Sequence, residues 1–186
     1  MQTKPQITLV PLLDQEKESF IRDVQAAFKI AVVKEWGDTG EEVIPRQDIE
    51  EAFHAQGAES YHIVHEGRIV GGTVLAIHPE TNHNELSLLF IKVGCHSKGL
   101  GFAAWQAIEK LHPETEVWET CTPYFEKRNI HFYVNKCGFH VVEFFNPSHP
   151  EPTFHHHETG EQDIPGGDYF LRFEKKMKER TGLQNC

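Results

Sequence analysis

The chain has 186 residues and a mass of 21.4 kDa, with 39% apolar and 25% charged side chains, which suits one packed domain and argues against global disorder. Its 18 Lys and Arg stand against 28 Asp and Glu, a formal charge of −10. That balance disfavours a general nucleic-acid binder or docking on an anionic membrane, both of which need cations, and leaves room for a cationic substrate. Four cysteines, Cys95, Cys121, Cys137 and Cys186, form no C-x-x-C pair, so a reduced intracellular protein is expected. The apolar stretch Ile7 to Leu13 is too short for a signal peptide, and no run approaches a membrane span. The expectation is a cytoplasmic protein with no membrane or nucleic-acid partner.

In chain order, Ile7 to Val10 predicts a short strand stopped by Pro11. Asp14 is placed to cap a helix over Gln15 to Trp36, whose apolar positions Phe20, Ile21, Val24, Phe28 and Ala31 recur at helical spacing. Gly37-Asp38-Thr39-Gly40 breaks it, and Pro45 suits the first residue of a second helix ending near Ala55. Ser60 to His65 and Arg68 to Ile77 flank the turn Glu66-Gly67 as a hairpin. Asn84 to Lys92 is a third strand with the run Leu86-Ser87-Leu88-Leu89-Phe90-Ile91, a pattern that predicts a central position. A glycine-containing loop then opens a helix over Phe102 to Leu111. A strand over Glu116 to Thr122, a helix over Lys127 to Cys137 capped by Gly138, and a strand over Phe139 to Phe145 follow. Residues 146–168 form a polar, Pro-containing insertion, and Tyr169 to Glu174 closes as a strand. This order implies a mixed sheet in one domain.

Lys98-Gly99-Leu100-Gly101, between a buried strand and a helix, is the chemical centre of the sequence. A helix start offers unpaired N–H groups, and glycines let an anion approach them. One reading is a dinucleotide fold: Gly99-Leu100-Gly101-Phe102-Ala103-Ala104 fits G-x-G-x-x-G/A, and Glu119 lies twenty residues beyond Gly99. Three features oppose it. A hairpin series precedes the loop, the segment Lys92 to Lys98 separates strand from glycine, and 85 residues after Gly101 hold too few β-α units.

Glu85-Leu86-Ser87-Leu88-Leu89-Phe90-Ile91 followed by His96-Ser97-Lys98-Gly99-Leu100-Gly101 resembles the first motif of the GNAT acetyltransferase superfamily. Asn129-Ile130-His131-Phe132-Tyr133-Val134-Asn135-Lys136-Cys137-Gly138-Phe139 resembles its second, with Tyr133 five residues before Gly138-Phe139. The two stand in the expected order, and the resemblance covers about Tyr61 to Phe145. His96 stands where the pattern prefers Gln or Arg, and Glu126 where a common form of the second motif has Asn, seven residues before the Tyr.

The resemblance implies an α/β (mixed α+β) fold, with a mostly antiparallel twisted sheet of about six or seven strands and helices on both faces. Residues 6–60 would supply the first strand and the acceptor-side helices, 61–145 the acetyl-CoA-binding core, 146–168 the insertion and 169–175 the last strand. It also implies acetyl-CoA as donor and a primary amine, on a small molecule or a peptide, as acceptor. The cosubstrate's pyrophosphate would sit on the loop His96, Ser97, Lys98, Gly99, Leu100, Gly101 and Phe102. Its pantetheine arm would lie along the backbone of Phe90, Ile91 and Val93, with Asn129 as a further contact. A protonated amine must lose a proton before it attacks, and Glu85 and Glu119 are the two candidate bases. Tyr133 would protonate the departing thiolate.

Other residues stand apart from this chemistry. His155-His156-His157, with His149 nearby, is a polar-loop cluster without a helical H-x-x-x-H, so no metal site is assigned. Cys95, His131 and His140 read as ordinary positions, and Trp36, Trp105 and Trp118 as core or groove aromatics. Residues 14–60 hold 12 acids and 5 Lys or Arg, a local charge of −7, with Glu35, Asp38, Glu41 and Glu42 at the helix junction. A cationic acceptor follows as an expectation, and a homodimer stays open. The rival class is a non-catalytic CoA-binding or metal-responsive regulatory protein, which would need neither base nor acid.

Overall fold

The computed structural model describes residues 4–37, 43–95, 99–150 and 168–177, without the side chains at 31, 35 and 36. Glu35, Trp36, Asp38, Glu41, Glu42, His96, Ser97, Lys98, His155, His156, His157 and Cys186 therefore lie, in whole or in their side chains, outside the described residues.

The elements follow the expected order with ends shifted by a few residues. They are β1 (Ile7–Pro11), α1 (Lys17–Trp36), α2 (Arg46–His54), β2 (Ala58–His65), β3 (Arg68–Ala76) and β4 (His83–Ile91). Then come α3 (Leu100–Leu111), β5 (Val117–Pro123), α4 (Lys127–His131), β6 (His140–Phe145) and β7 (Phe170–Lys176). At the start of α1 the cap differs from expectation. Asp14 sits inside a single 3₁₀ turn and pairs with Lys17 at 2.9 Å, while the Leu13 N–H donates to Glu16 Oε2 at 3.0 Å. The tighter turn moves the acceptor that satisfies the chain end two residues along.

The seven strands form one sheet in the order β1-β2-β3-β4-β5-β7-β6. Every neighbour is antiparallel except β4 and β5, which are joined through α3 and run parallel. β4 is central, as its apolar run predicts. β7, last in sequence, lies between β5 and β6, which places β6 at the edge.

Helices cover the two faces unequally. α1 and α2 lay Phe20, Ile21, Val24, Ile49 and Phe53 on Val74 and Phe90 of β3 and β4. Gly72 allows this close approach, since a Cβ there would meet the Phe20 ring at 2.3 Å. On the opposite face, Trp105 and Ile108 of α3 pack with Leu75, Leu86, Trp118, Phe139 and Phe173. Trp105 and Trp118 are fully buried and meet edge to face, centroids 5.5 Å apart, as core aromatics do.

Candidate active site

The parallel pair is short. Only His83–Glu85 of β4 lie in register with Val117–Glu119 of β5, yet β4 continues to Ile91 and β5 to Pro123. Just past the last paired rung, the buried Thr120 hydroxyl donates to the Leu86 carbonyl at 2.8 Å. Beyond that link the strands no longer bond each other and a wedge opens between them. Backbone groups along the free part of β4 are thereby left for another partner.

A groove of about 420 Å³ occupies this region. Leu89, Phe90 and Ile91 of β4 line one side and Phe125, Glu126, Lys127, Arg128 and Asn129 the other. α1 walls it with Ala27, Phe28, Ile30 and Lys34, and Gly101, Phe132 and Tyr133 complete it. The last described turn before α3 holds Gly99 at φ +95°, where a side chain would be strained. The first intrahelical bond of α3 runs from the Ala103 N–H to the Gly99 carbonyl at 2.9 Å. Helical geometry thus leaves the N–H groups of Leu100, Gly101 and Phe102 without intrahelical acceptors. A Cβ on Gly101 would stand 3.5 Å from the Phe132 ring and fill the gap between the helix start and the groove. Free N–H groups, absent side chains and the positive end of a twelve-residue helix fit a phosphate-bearing cosubstrate. The lining cations Lys34, Lys127 and Arg128 suit the same ligand.

The segment expected as a regular helix over Lys127 to Cys137 changes pitch midway. After His131 it widens into a π-helical turn, Phe132–Cys137, and the Tyr133 carbonyl accepts from the N–H groups of both Gly138 and Phe139. Gly138, at φ +80°, closes the turn as its sequence position predicts. Phe132 faces Gly101, while the Tyr133 ring lies among Phe132, Phe139 and Phe173, centroids 5.4 to 5.7 Å away. Tyr133 is 6% exposed and still lines the groove. Burial pushes the affinity of its phenol for the proton well up, and a hydrogen-bonding contact with Thr120 opposes that rise. Tyr133 therefore keeps its proton at neutral pH, at the closed end of the wedge.

The structure gathers some of the expected residues and separates others. Phe90, Ile91, Gly101, Asn129 and Tyr133 line one groove. Leu100 is buried with Ile63, Val70 and Ala104, and Phe102 packs on the core, so each offers backbone rather than side chain. Val93 is exposed in the turn after β4. Asn129 donates to Thr122 Oγ1 at 3.4 Å. Glu85 and Glu119 are register neighbours in the last paired rung, and neither is among the groove's lining residues. Glu85 is exposed, and Glu119 accepts from Arg172 at 2.9 Å. Cys95 packs beside the Leu100 cluster. His131 bonds Asn135, His140 is exposed, and His149 pairs with Glu143 at 2.8 Å. Among the described residues no group of three His, Cys, Asp or Glu could hold a metal ion.

Two contributions escape sequence reasoning. One is which residues of α1 form the wall: Ala27, which also packs on the core, continues at i+3 and i+7 into Ile30 and Lys34, and its signal is the 40%-exposed Ile30. The other is Glu126, visible in sequence only as a departure from the second motif and here buried at 6% exposure in the groove wall.

The Acetyltransferase (GNAT) family model matches residues 19–139, which takes in most of α1, both motifs and the strand between them. The chain belongs to the GNAT acetyltransferase family. A Bacillus subtilis (strain 168) relative, the uncharacterized protein YrkN, is 46% identical over 97% of this chain and 100% of its own length. A GNAT acetyltransferase from Elizabethkingia anophelis, solved with acetyl-CoA bound, superposes with a TM-score of 0.65 at 13% identity, covering 94% of this chain and 100% of that one. A B. subtilis acetyltransferase in complex with CoA gives 0.60 at 18% identity, covering 94% and 100%. These solved chains share the fold of this GNAT protein. Family membership makes it an acetyl-CoA-dependent acetyltransferase, against both the dinucleotide reading of its glycines and a regulatory role without chemistry. No helix among the described residues is long and apolar enough to cross a membrane.

Proposed function

We propose that this GNAT protein moves the acetyl group of acetyl-CoA directly to a primary amine, and that the acceptor is a cation such as a polyamine, an amino sugar or a lysine side chain. The observation that carries the reading is the convergence, in one groove, of unpaired α3 N–H groups, the unpaired end of β4 and the protonated Tyr133 phenol. The phosphates of the cosubstrate bind at Gly99 to Phe102 and its pantetheine arm bonds the β4 backbone near Phe90 and Ile91. A β4 N–H aimed at the thioester oxygen stabilises the charge that grows there. Tyr133 gives its proton to the thiolate as it leaves.

The cationic acceptor rests on the acidity of residues 14–60. Part of that charge is neutralised internally. Asp14 pairs with Lys17, Glu18 and Glu50 with Arg46, and Asp23 with Lys92. Glu35, Asp38, Glu41 and Glu42, close together in sequence at the junction of the two helices, are the acids on which the proposal rests. A panel of amines assayed for thiol release from acetyl-CoA tests it. Polyamines or lysine-containing peptides are expected to lead by tenfold or more; a preference for neutral or acidic amino acids overturns the cationic assignment.

A further inference from the structure

An amine arriving as an ammonium must lose a proton inside the groove, and the groove has its own carboxyl for this. Among the described residues that line it, Glu126 is the one carboxylic acid. It sits at the turn between β5 and α4, tied by its N–H to the Pro123 carbonyl at 3.0 Å and by its carbonyl to the Ile130 N–H at 3.0 Å. The backbone is held at both ends, and the residue is 6% exposed although it borders solvent-filled space. Across the last paired rung, by contrast, Glu119 is bound by Arg172 and Glu85 is exposed.

We propose that Glu126 is the general base of the transfer: its carboxylate takes the proton that the acceptor ammonium loses, in the groove where Tyr133 supplies one to the departing sulfur. The proposal rests on acetyl transfer to an amine, as read above, and puts the base at Glu126 rather than at Glu85 or Glu119. The ammonium gives one proton to Glu126, and the freed nitrogen lone pair forms the C–N bond to the acetyl carbon. The C–S bond breaks, its electron pair leaves on sulfur, and sulfur takes the Tyr133 proton. The second proton of the nitrogen restores the Tyr133 phenol through solvent, and the one on Glu126 goes to bulk. One proton is released for each acetyl group moved.

The surroundings suit the role. Burial raises the affinity of Glu126 for the proton, and the Arg128 guanidinium pulls it back down. A carboxyl raised above its ordinary range is better matched to neutral pH than a surface glutamate. The charged and titratable groups facing it in the groove are Lys127 and Arg128 from α4, Tyr133 from the π-helical turn and Lys34 from α1. The described linings from β4 and α3 are Leu89, Phe90, Ile91 and Gly101, none of which titrates. Tyr133 and Glu126 sense each other's charge, and an ionised Glu126 helps keep the phenol protonated.

The test is the pH profile of kcat/KM for the best amine of the panel, with acetyl-CoA affinity measured alongside by calorimetry. The wild type should show an acidic limb of unit slope, displaced above the ordinary carboxylate range. Glu126→Gln, nearly isosteric, should lose about 100-fold or more in kcat at neutral pH. Its limb should move to the pKa of the amine itself, so that activity returns as pH rises, while acetyl-CoA affinity stays within threefold. Glu126→Asp should keep the limb in place, and formate should partly restore a Glu126→Ala variant. An unmoved limb in Glu126→Gln overturns the proposal. So does a loss confined to acetyl-CoA affinity, which would make Glu126 a cosubstrate contact, and so does a Glu85→Gln variant that shifts the limb instead. A wild type that acetylates no amine fails at the earlier reading and takes the base with it, whereas a wild type that works with a Gln variant that matches it refutes the base alone.

Discussion

One face of the sheet behaves in two ways on either side of the wedge. Over β3 and β4 it is apolar and helix-covered: Phe20, Val24, Ile49, Val74 and Phe90 are buried there, and Phe20 meets Phe53 and Phe90 edge to face at 5.4 and 5.1 Å. Over β5, β7 and β6 it carries charge. Arg172 reaches Glu119 and Glu143 at 2.9 Å and Glu174 at 3.1 Å, and Glu143 also takes His149. Those two partners, His149 first and Arg172 after it, hold the Glu143 carboxyl below its usual range. Among the described residues α1 and α2 pack chiefly on β2, β3 and β4. Apolar burial fixes the wall of the groove, because α1 is part of that wall. The ionic half keeps the strands in register at little energetic gain, since charges that reach solvent are screened.

Three substitutions probe that contrast, in falling order of effect. Phe20→Ala removes a ring packed between α1, α2 and the sheet, and should cost about 3–5 kcal/mol of unfolding free energy. Denaturant titration would read it, and acetyl-CoA affinity should fall as α1 loosens. A loss under about 1 kcal/mol would mean that the helical cover does not hold the wall. Tyr133→Phe, at the seam between the halves, should lower kcat by roughly 10- to 100-fold, about 1.4–2.7 kcal/mol on the barrier, with the dissociation constant for acetyl-CoA nearly unchanged. Unaltered turnover would remove Tyr133 from the chemistry. Arg172→Ala, in the charged half, should cost about 1 kcal/mol or less, and that loss should shrink further in high salt. A loss comparable to that of Phe20→Ala would erase the distinction between the two halves.

The pH behaviour of the groove follows from burial. Tyr133 and Glu126 are both pushed towards their neutral forms. A carboxyl whose proton affinity is raised by folding favours the folded state while it is protonated, and that advantage is lost as pH rises through its folded value. Folding thus favours the protonated groove, while the proposed role of Glu126 as base asks for the ionised form.

Much of this protein was legible from its residues because the signals are local. Turn chemistry at Glu66-Gly67, the apolar run of β4, the glycines at 99 and 101 and the stop at Gly138 are each read within a few residues, and all stand where expected. The two spaced motifs carried the family. Tertiary structure alone decided the rest. β7 enters between β5 and β6, so a strand that is last in sequence completes the sheet beside the wedge; that depends on pairings tens of residues apart, which no local period encodes. The pitch change at Phe132 is also a tertiary feature, since no local signal separates Phe132–Cys137 from the helical turn before it. Whether a glutamate is a solvated surface group or the buried carboxyl of a groove depends on what folds over it. Glu85, Glu119 and Glu126 look alike along the chain, and only packing leaves the first exposed, ties the second to Arg172 and buries the third in the groove wall.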